Sequence, residues 1–249
     1  MKAFLKNNLK FLLFLFTFGL VGGYFTARYS IEIMQPDLLE EALSQIGSVD
    51  ILILITTIQS VLYSVILGIS GKWLAQKTRL WRELKFETKP LVSVLLVSLI
   101  GGAIFILADV LFFANFSDVI KSSDDIKPTI SYIIATITYG GVVEEVMLRL
   151  FLMSLIAFAL WKLSRRAEIT NNQLIIANLI AAILFSAGHL PATVISIGIT
   201  PMIIARCFIM NGGYGLIFGR LYRKYGIHYA MLAHAGVHII SKLIWIAFI

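Results

Sequence analysis

The chain has 249 residues, of which 59% are apolar and only 14% charged, with a mean hydropathy of +0.88. Soluble domains run nearer 45–50% apolar and about 25% charged, so the composition excludes an ordinary soluble globule and a disordered chain. The net charge of +7 belongs on the cytoplasmic loops of a membrane protein and implies no nucleic acid. Cys207 alone can form neither an internal disulfide nor a cysteine-rich metal site.

A hydrocarbon core of ~30 Å requires about 20 residues of helix. Along the chain, apolar segments of suitable length run near 9–27, 51–71, 91–114, 129–161, 174–189, 193–218 and 227–248. The first follows Lys2, Lys6 and Lys10 and continues through Gly22, Gly23 and Tyr24 without a small-residue cleavage site. It therefore reads as a retained anchor and not a signal peptide. Between the second and third segments, residues 73–89 alternate Trp73, Leu74, Leu80, Trp81, Leu84 and Phe86 with basic residues. That pattern predicts an amphipathic helix on the inner interface. The fourth segment exceeds one straight span, which predicts tilt or protrusion into the cytosol. The fifth is short, and 191–201 is where a re-entrant or broken helix is expected. The chain carries no repeat and no linker. It reads as a single all-α domain over 1–249, a polytopic transmembrane helix bundle of about seven spans.

Basic residues set the expected orientation. Lys2, Lys6, Lys10, Lys72, Lys77, Arg79, Arg82, Lys85, Lys89, Lys162, Arg165, Arg166, Arg220, Arg223 and Lys224 fall on one side, against Arg28, Lys121 and Lys127 on the other. The second side carries Glu32, Asp37, Glu40, Glu41, Asp50, Asp118, Asp124 and Asp125. The positive-inside rule then places the N-terminus in the cytoplasm and the C-terminus outside.

Few ionisable groups remain at membrane depth, where each costs at least ~2.5–3.5 kcal/mol and needs a partner or a role. Lys242 and Arg206 lie near span ends, where snorkelling accounts for them. Asp109 reads as a buried hydrogen bond between helices, and His228 as interfacial. Glu144, Glu145 and Arg149 form E-E-V-M-L-R in an apolar helix. Glu145 and Arg149, at i and i+4, share a face and neutralise each other. Glu144 is turned about 100° away and is left as a carboxylate seeking a proton, a metal or a water, which is the situation of a general base. His189 closes the run from Phe185, while His234 and His238 project from one helical face. Their depths place these groups in one polar chamber between the fourth, fifth and seventh spans, with entry expected from the cytosolic side.

Glu144-Glu145-x-x-x-Arg149, then Phe185-x-x-x-His189, then His234 resembles the CPBP family of intramembrane proteases. That family includes the type II CAAX prenyl endopeptidases and the bacteriocin-linked Abi proteins. The stretch from Asn211 to Arg220, continued from Lys224 to His234, resembles the family's approach to its last motif. The resemblance covers about 140–238 and implies a catalytic core near 129–249. One position departs: four residues after the last motif histidine the family usually carries Asn, and this chain carries His238.

The resemblance implies peptide-bond hydrolysis within the membrane, on a membrane-associated protein or peptide. In that scheme Glu144 activates water with His189, Arg149 holds Glu145, and His234 and His238 donate to the oxyanion. Glu144, His189, His234 and His238 are also chemically suited to Zn²⁺. The HExxH signature is absent, which favours a metal-free glutamate mechanism with no cofactor. Two other readings are open: a non-catalytic scaffold or immunity protein of the same fold, and a secondary transporter, for which the chain lacks the usual internal symmetry.

Overall fold

The computed structural model describes residues 2–123 and 128–249, with side chains described for all of these except 2–7, 119, 122, 123, 196 and 197. Asp124, Asp125 and Lys127, assigned to the outer loop, lie outside the described residues, as do the side chains of Lys2 and Lys6. The helices are α1 (Lys2–Ile33), α2 (Pro36–Ile46), α3 (Val49–Lys77), α4 (Thr88–Leu111), α5 (Asp118–Ser123), α6 (Ile130–Leu163), α7 (Asn171–Ile197), α8 (Pro201–Tyr225) and α9 (Ile227–Phe248). Among the described residues, seven helices are long and apolar enough to cross a membrane. The protein is thus an integral, multi-pass all-α bundle, as its composition requires.

Side-chain caps begin the spans where the sequence turns polar. Ser48, Thr129 and Thr200 accept backbone N–H groups at the starts of α3, α6 and α8. Thr170 and Gln173 form a reciprocal capping box on α7, satisfying donors that a helix start leaves unpaired. The α8–α9 joint is the single residue Gly226 at φ 110°, a left-handed conformation that glycine adopts without steric cost.

The core gathers around α6. Val146, Leu150, Met153 and Ala157 form a buried stripe at helical spacing, against Ala177 and Ala181 of α7, Phe218 and Tyr222 of α8, and Ala230 and Ala233 of α9. By contrast α3 and α4 present Leu54, Ile58, Leu62, Leu95, Leu99 and Ile104 outward, the apolar exterior that suits lipid. Close approach of α9 to α6 depends on Gly141, where an added Cβ would lie 2.7 Å from the Ala235 methyl.

Three local expectations are corrected. Residues 73–77 complete α3, and 78–87 are not helical. Arg79, at φ 61°, ends the helix, and the N–H groups of Leu80 and Trp81 both return to the Ala75 carbonyl. Leu80 is buried and Trp81 packs edge-on against Phe11 at 5.7 Å. Leu74, Leu80 and Trp81 thus turn into the bundle, while Trp73, Leu84 and Phe86 stay exposed, so the stretch has no continuous lipid-facing apolar stripe. The fifth span does not stop at His189, because α7 continues through Pro191 to Ile197, and the break expected within 191–201 falls at Gly198–Thr200. Finally, neither Lys242 nor Arg206 snorkels. Lys242 is 3% exposed with Nζ 4.1 Å from the Tyr132 ring centroid. Arg206 binds Asp109 of α4 through Nε at 2.6 Å and through Nη2, the interhelical bond expected for that aspartate.

Arg79 and Glu168 tie the α3–α4 and α6–α7 loops together through two hydrogen bonds of 2.9 and 2.6 Å. The guanidinium holds the Glu168 carboxyl below its ordinary value, and the carboxylate raises Arg79 in return. Both side chains face water, so the pair orders loops and adds little stability.

Candidate active site

The expected polar residues come from three packed helices. Glu144, Glu145 and Arg149 lie in a part of α6 wound with π-type turns over Thr136–Glu144 and Val146–Met153, a winding frequent at functional sites. His189 comes from α7, and His234 and His238 from α9.

Glu145 is fully buried and Arg149 is 2% exposed, with Arg149 Nη1 3.0 Å from Glu145 Oε1. The guanidinium also lies over the Phe185 ring at 4.5 Å. On the same Oε1, His234 Nδ1 sits at 2.8 Å. The carboxylate accepts, so Nδ1 carries the proton and Nε2 faces away from it. Phe218 stacks on the His234 ring at 4.5 Å and 21°, fixing its plane. His234 is therefore held by Glu145 and not by Glu144.

Glu144 points elsewhere, as its angular offset from Glu145 predicts. Among the described residues its ion-pair partner is His189, with Nε2 at 3.9 Å from Oε1 and side-chain exposures of 33% and 19% for the histidine and glutamate. Nδ1 of His189 lies 2.9 Å from the Phe185 carbonyl. Because a carbonyl only accepts, Nδ1 donates and Nε2 offers its lone pair toward Glu144. A gap of 3.9 Å is too long for a direct hydrogen bond and suits a shared water.

His238 lies one turn past His234, with ring centroids 5.0 Å apart. A methyl group on Gly140 would lie 3.4 Å from His238 Nε2 and 3.9 Å from His234 Nε2. Both nitrogens therefore converge on one point beside α6. Nδ1 of His238 is buried without a hydrogen-bond partner. A proton there would be an unpaired buried donor, so the better tautomer carries it on Nε2.

Glu144, His189, His234 and His238 line one chamber of about 610 Å³, and Glu145 and Arg149 are not part of its lining. The sequence places α6, α7 and α9 around it, and the structure adds α8, α4 and the end of α1. Residues not singled out from sequence include Tyr29, Phe105, Tyr132, Tyr139, Asn211, Tyr214 and Phe218. Asn211 and Tyr214 were legible only as part of the 211–220 stretch that resembles the family's approach to its last motif. The chamber wall uses the first part of α6 (Tyr132 to Leu148) and the last part of α7 (Leu184 to Thr193), with Ile33 of α1. That is the end of the bundle opposite Lys72, Arg79, Lys162 and Lys224. Cytosolic entry and a cytosolic N-terminus therefore cannot both hold. The half containing the chamber follows from the staggered heights of the polar residues, whereas basic loops mark only the far end. Leu184 and Gly188 line the chamber and are exposed on the bundle surface, so it reaches the lipid-facing flank beside α7.

Among the described residues, no three His, Cys, Asp or Glu side chains are grouped so as to hold a metal ion.

The family model for Rce1-like type II CAAX prenyl endopeptidases matches residues 126–240. No curated protein and no solved structure matches the chain. Glu144, Glu145, Arg149, His189, His234 and His238 all fall inside the matched segment, which is less than half of the chain and is similar to that family.

Proposed function

We propose that the protein is an intramembrane endopeptidase that hydrolyses a peptide bond of a membrane-associated protein or peptide, CAAX-like or bacteriocin-like. The observation that carries this reading is the separation of the two glutamates. Glu145 is consumed by Arg149 and His234, which leaves Glu144 facing the His189 lone pair inside the chamber. Glu144 takes a proton from water with His189 orienting it, the hydroxide attacks the scissile carbonyl, and that proton passes to the amine nitrogen as the C–N bond breaks. His238 donates from Nε2 to the developing oxyanion. His234 donates from Nε2 when its ring carries both protons, with the Glu145 carboxylate facing that charge. Oriented donors of this kind are each worth about 2.7–4 kcal/mol in a water-poor site. Released peptide leaves through the chamber, which opens outside if the N-terminus is cytoplasmic.

The test is cleavage of a membrane-embedded peptide by purified protein. Glu144→Gln keeps the shape and removes the base, so the variant should accumulate and melt as wild type but not cut. Comparable turnover by the two proteins would overturn the mechanism. Elemental analysis of the same active preparation should give well under one equivalent of zinc. Stoichiometric zinc, with activity lost to chelators and restored by Zn²⁺, would replace the metal-free scheme.

A further inference from the structure

A second cavity, a groove of about 820 Å³, lies at the basic end of the bundle and shares no residue with the chamber. Ile69, Lys72 and Gln76 stand at i, i+3 and i+7, so one face of α3 lines it. Asn8 and Phe11 of α1 and Leu155 of α6 complete the lining, which contains no acidic residue. Ile69 lies about 10 Å deeper along the helix than Gln76. The groove is therefore polar at its mouth, with Gln76, Lys72 and Asn8, and apolar below, with Ile69, Phe11 and Leu155.

Lys72 is the first charged residue after the apolar run of α3, and it is held in a neutral cage. Its half-buried ammonium donates to Asn8 Oδ1 at 2.8 Å and lies over the Phe11 and Trp81 rings at 5.2 and 4.7 Å. None of the ion pairs among the described residues involves it. Glu83, close by, instead accepts the Trp81 indole N–H at 2.8 Å. An ammonium has three N–H donors, and Asn8 takes one. At the same end, exposed Lys77 and Lys162 rest on Trp73 and Trp161 at 5.9 and 4.4 Å. Tryptophans and lysines at one height mark where hydrocarbon gives way to headgroups. The mouth of the groove thus opens among lipid phosphates.

We propose that this groove seats one anionic phospholipid of the leaflet beside the basic loops, with its phosphate on Lys72 and an acyl chain along Ile69, Phe11 and Leu155. The phosphate supplies the charge that the cage lacks, and the order of polar over apolar lining matches a lipid standing in its leaflet. A zwitterionic headgroup brings a second cation to a site that already holds one, so a net negative lipid fits better. The seat backs directly onto the helix of the reacting groups. An added Cβ on Gly71, beside Lys72, would lie 2.8 Å from the Leu150 carbonyl oxygen, so α3 and α6 touch there through their backbones. A lipid in the groove bridges α1, α3 and α6. The seat uses no residue of the endopeptidase scheme and stands apart from it.

The experiment places the full-length protein in nanodiscs of equal parts phosphatidylglycerol and phosphatidylcholine and counts the lipids it retains on release by native mass spectrometry. Wild type should retain one phosphatidylglycerol, preferred by about 5-fold, the effect of one lysine near a charged surface. Lys72→Met keeps the stem and should lose that preference, whereas Lys72→Arg should keep it. Lys162→Met, at the same end but outside the groove, should leave it unchanged. Phosphatidylglycerol should raise the melting temperature of wild type and Lys72→Arg but not of Lys72→Met, as a ligand of the folded state does. Leu155→Trp fills the apolar part with the charge intact and should also shed the lipid, so the result does not hang on the folding of one variant. Equal retention of the two lipids by wild type, or equal losses in Lys72→Met and Lys162→Met, would leave only a diffuse basic surface and overturn the seat. Displacement of the lipid by sn-glycerol 3-phosphate would assign Lys72 to a soluble phosphate and overturn it as well.

Discussion

His234 Nδ1 and Arg149 Nη1 close on the same oxygen of Glu145, at 2.8 and 3.0 Å. One buried carboxylate therefore fixes the tautomer of a histidine on α9 and neutralises a guanidinium on α6. The adjacent carboxylate, Glu144, is spared from both.

From this follows a prediction about Glu145. Glu145→Ala leaves the guanidinium buried and unpaired, and breaking a buried pair in this way costs about 3–5 kcal/mol. The double replacement Glu145→Leu with Arg149→Met removes both charges and should recover most of that loss in thermal melts. Activity should stay low in both variants, because His234 no longer has a carboxylate on Nδ1. A double variant with wild-type turnover would show that the pair serves stability alone.

His238 is the position that departs from the family pattern, and its Nε2 shares a focus with that of His234 beside Gly140. His238→Asn, which restores an amide donor, should keep substantial activity. His238→Ala should lose roughly 10²–10³-fold in kcat, the usual cost of one oxyanion donor. If Ala matches wild type, the imidazole only packs against Phe105, whose ring lies 5.8 Å away. If Asn is as inactive as Ala, the imidazole has a separate chemical task.

Topology can be read by cysteine labelling in a Cys207→Ser background. Leu84→Cys should label only from the cytosol and Phe248→Cys only from outside, both sites being well exposed. Ile33→Cys, at the chamber end, should label from outside as well. Labelling of Leu84→Cys from outside would invert the whole bundle and turn the chamber toward the cytosol.

Hydropathy alone located the spans, because a stretch of about 20 apolar residues has few other uses. The rare ionisable residues at depth marked the candidate site for the same energetic reason. The sequence also separated Glu144 from Glu145, since offsets along one helix are local geometry. Contacts between helices were decided only by the tertiary structure. Which carboxylate His234 meets depends on how closely α9 approaches α6 at Gly141. That Leu80 and Trp81 enter the core depends on the space beside Phe11, and an alternating pattern cannot tell an inward apolar face from one turned to lipid. The inward turn of Lys242 depends on where Tyr132, more than a hundred residues away in the sequence, presents its ring. The end of the bundle that holds the chamber was likewise settled by stagger among packed helices, which no single segment contains.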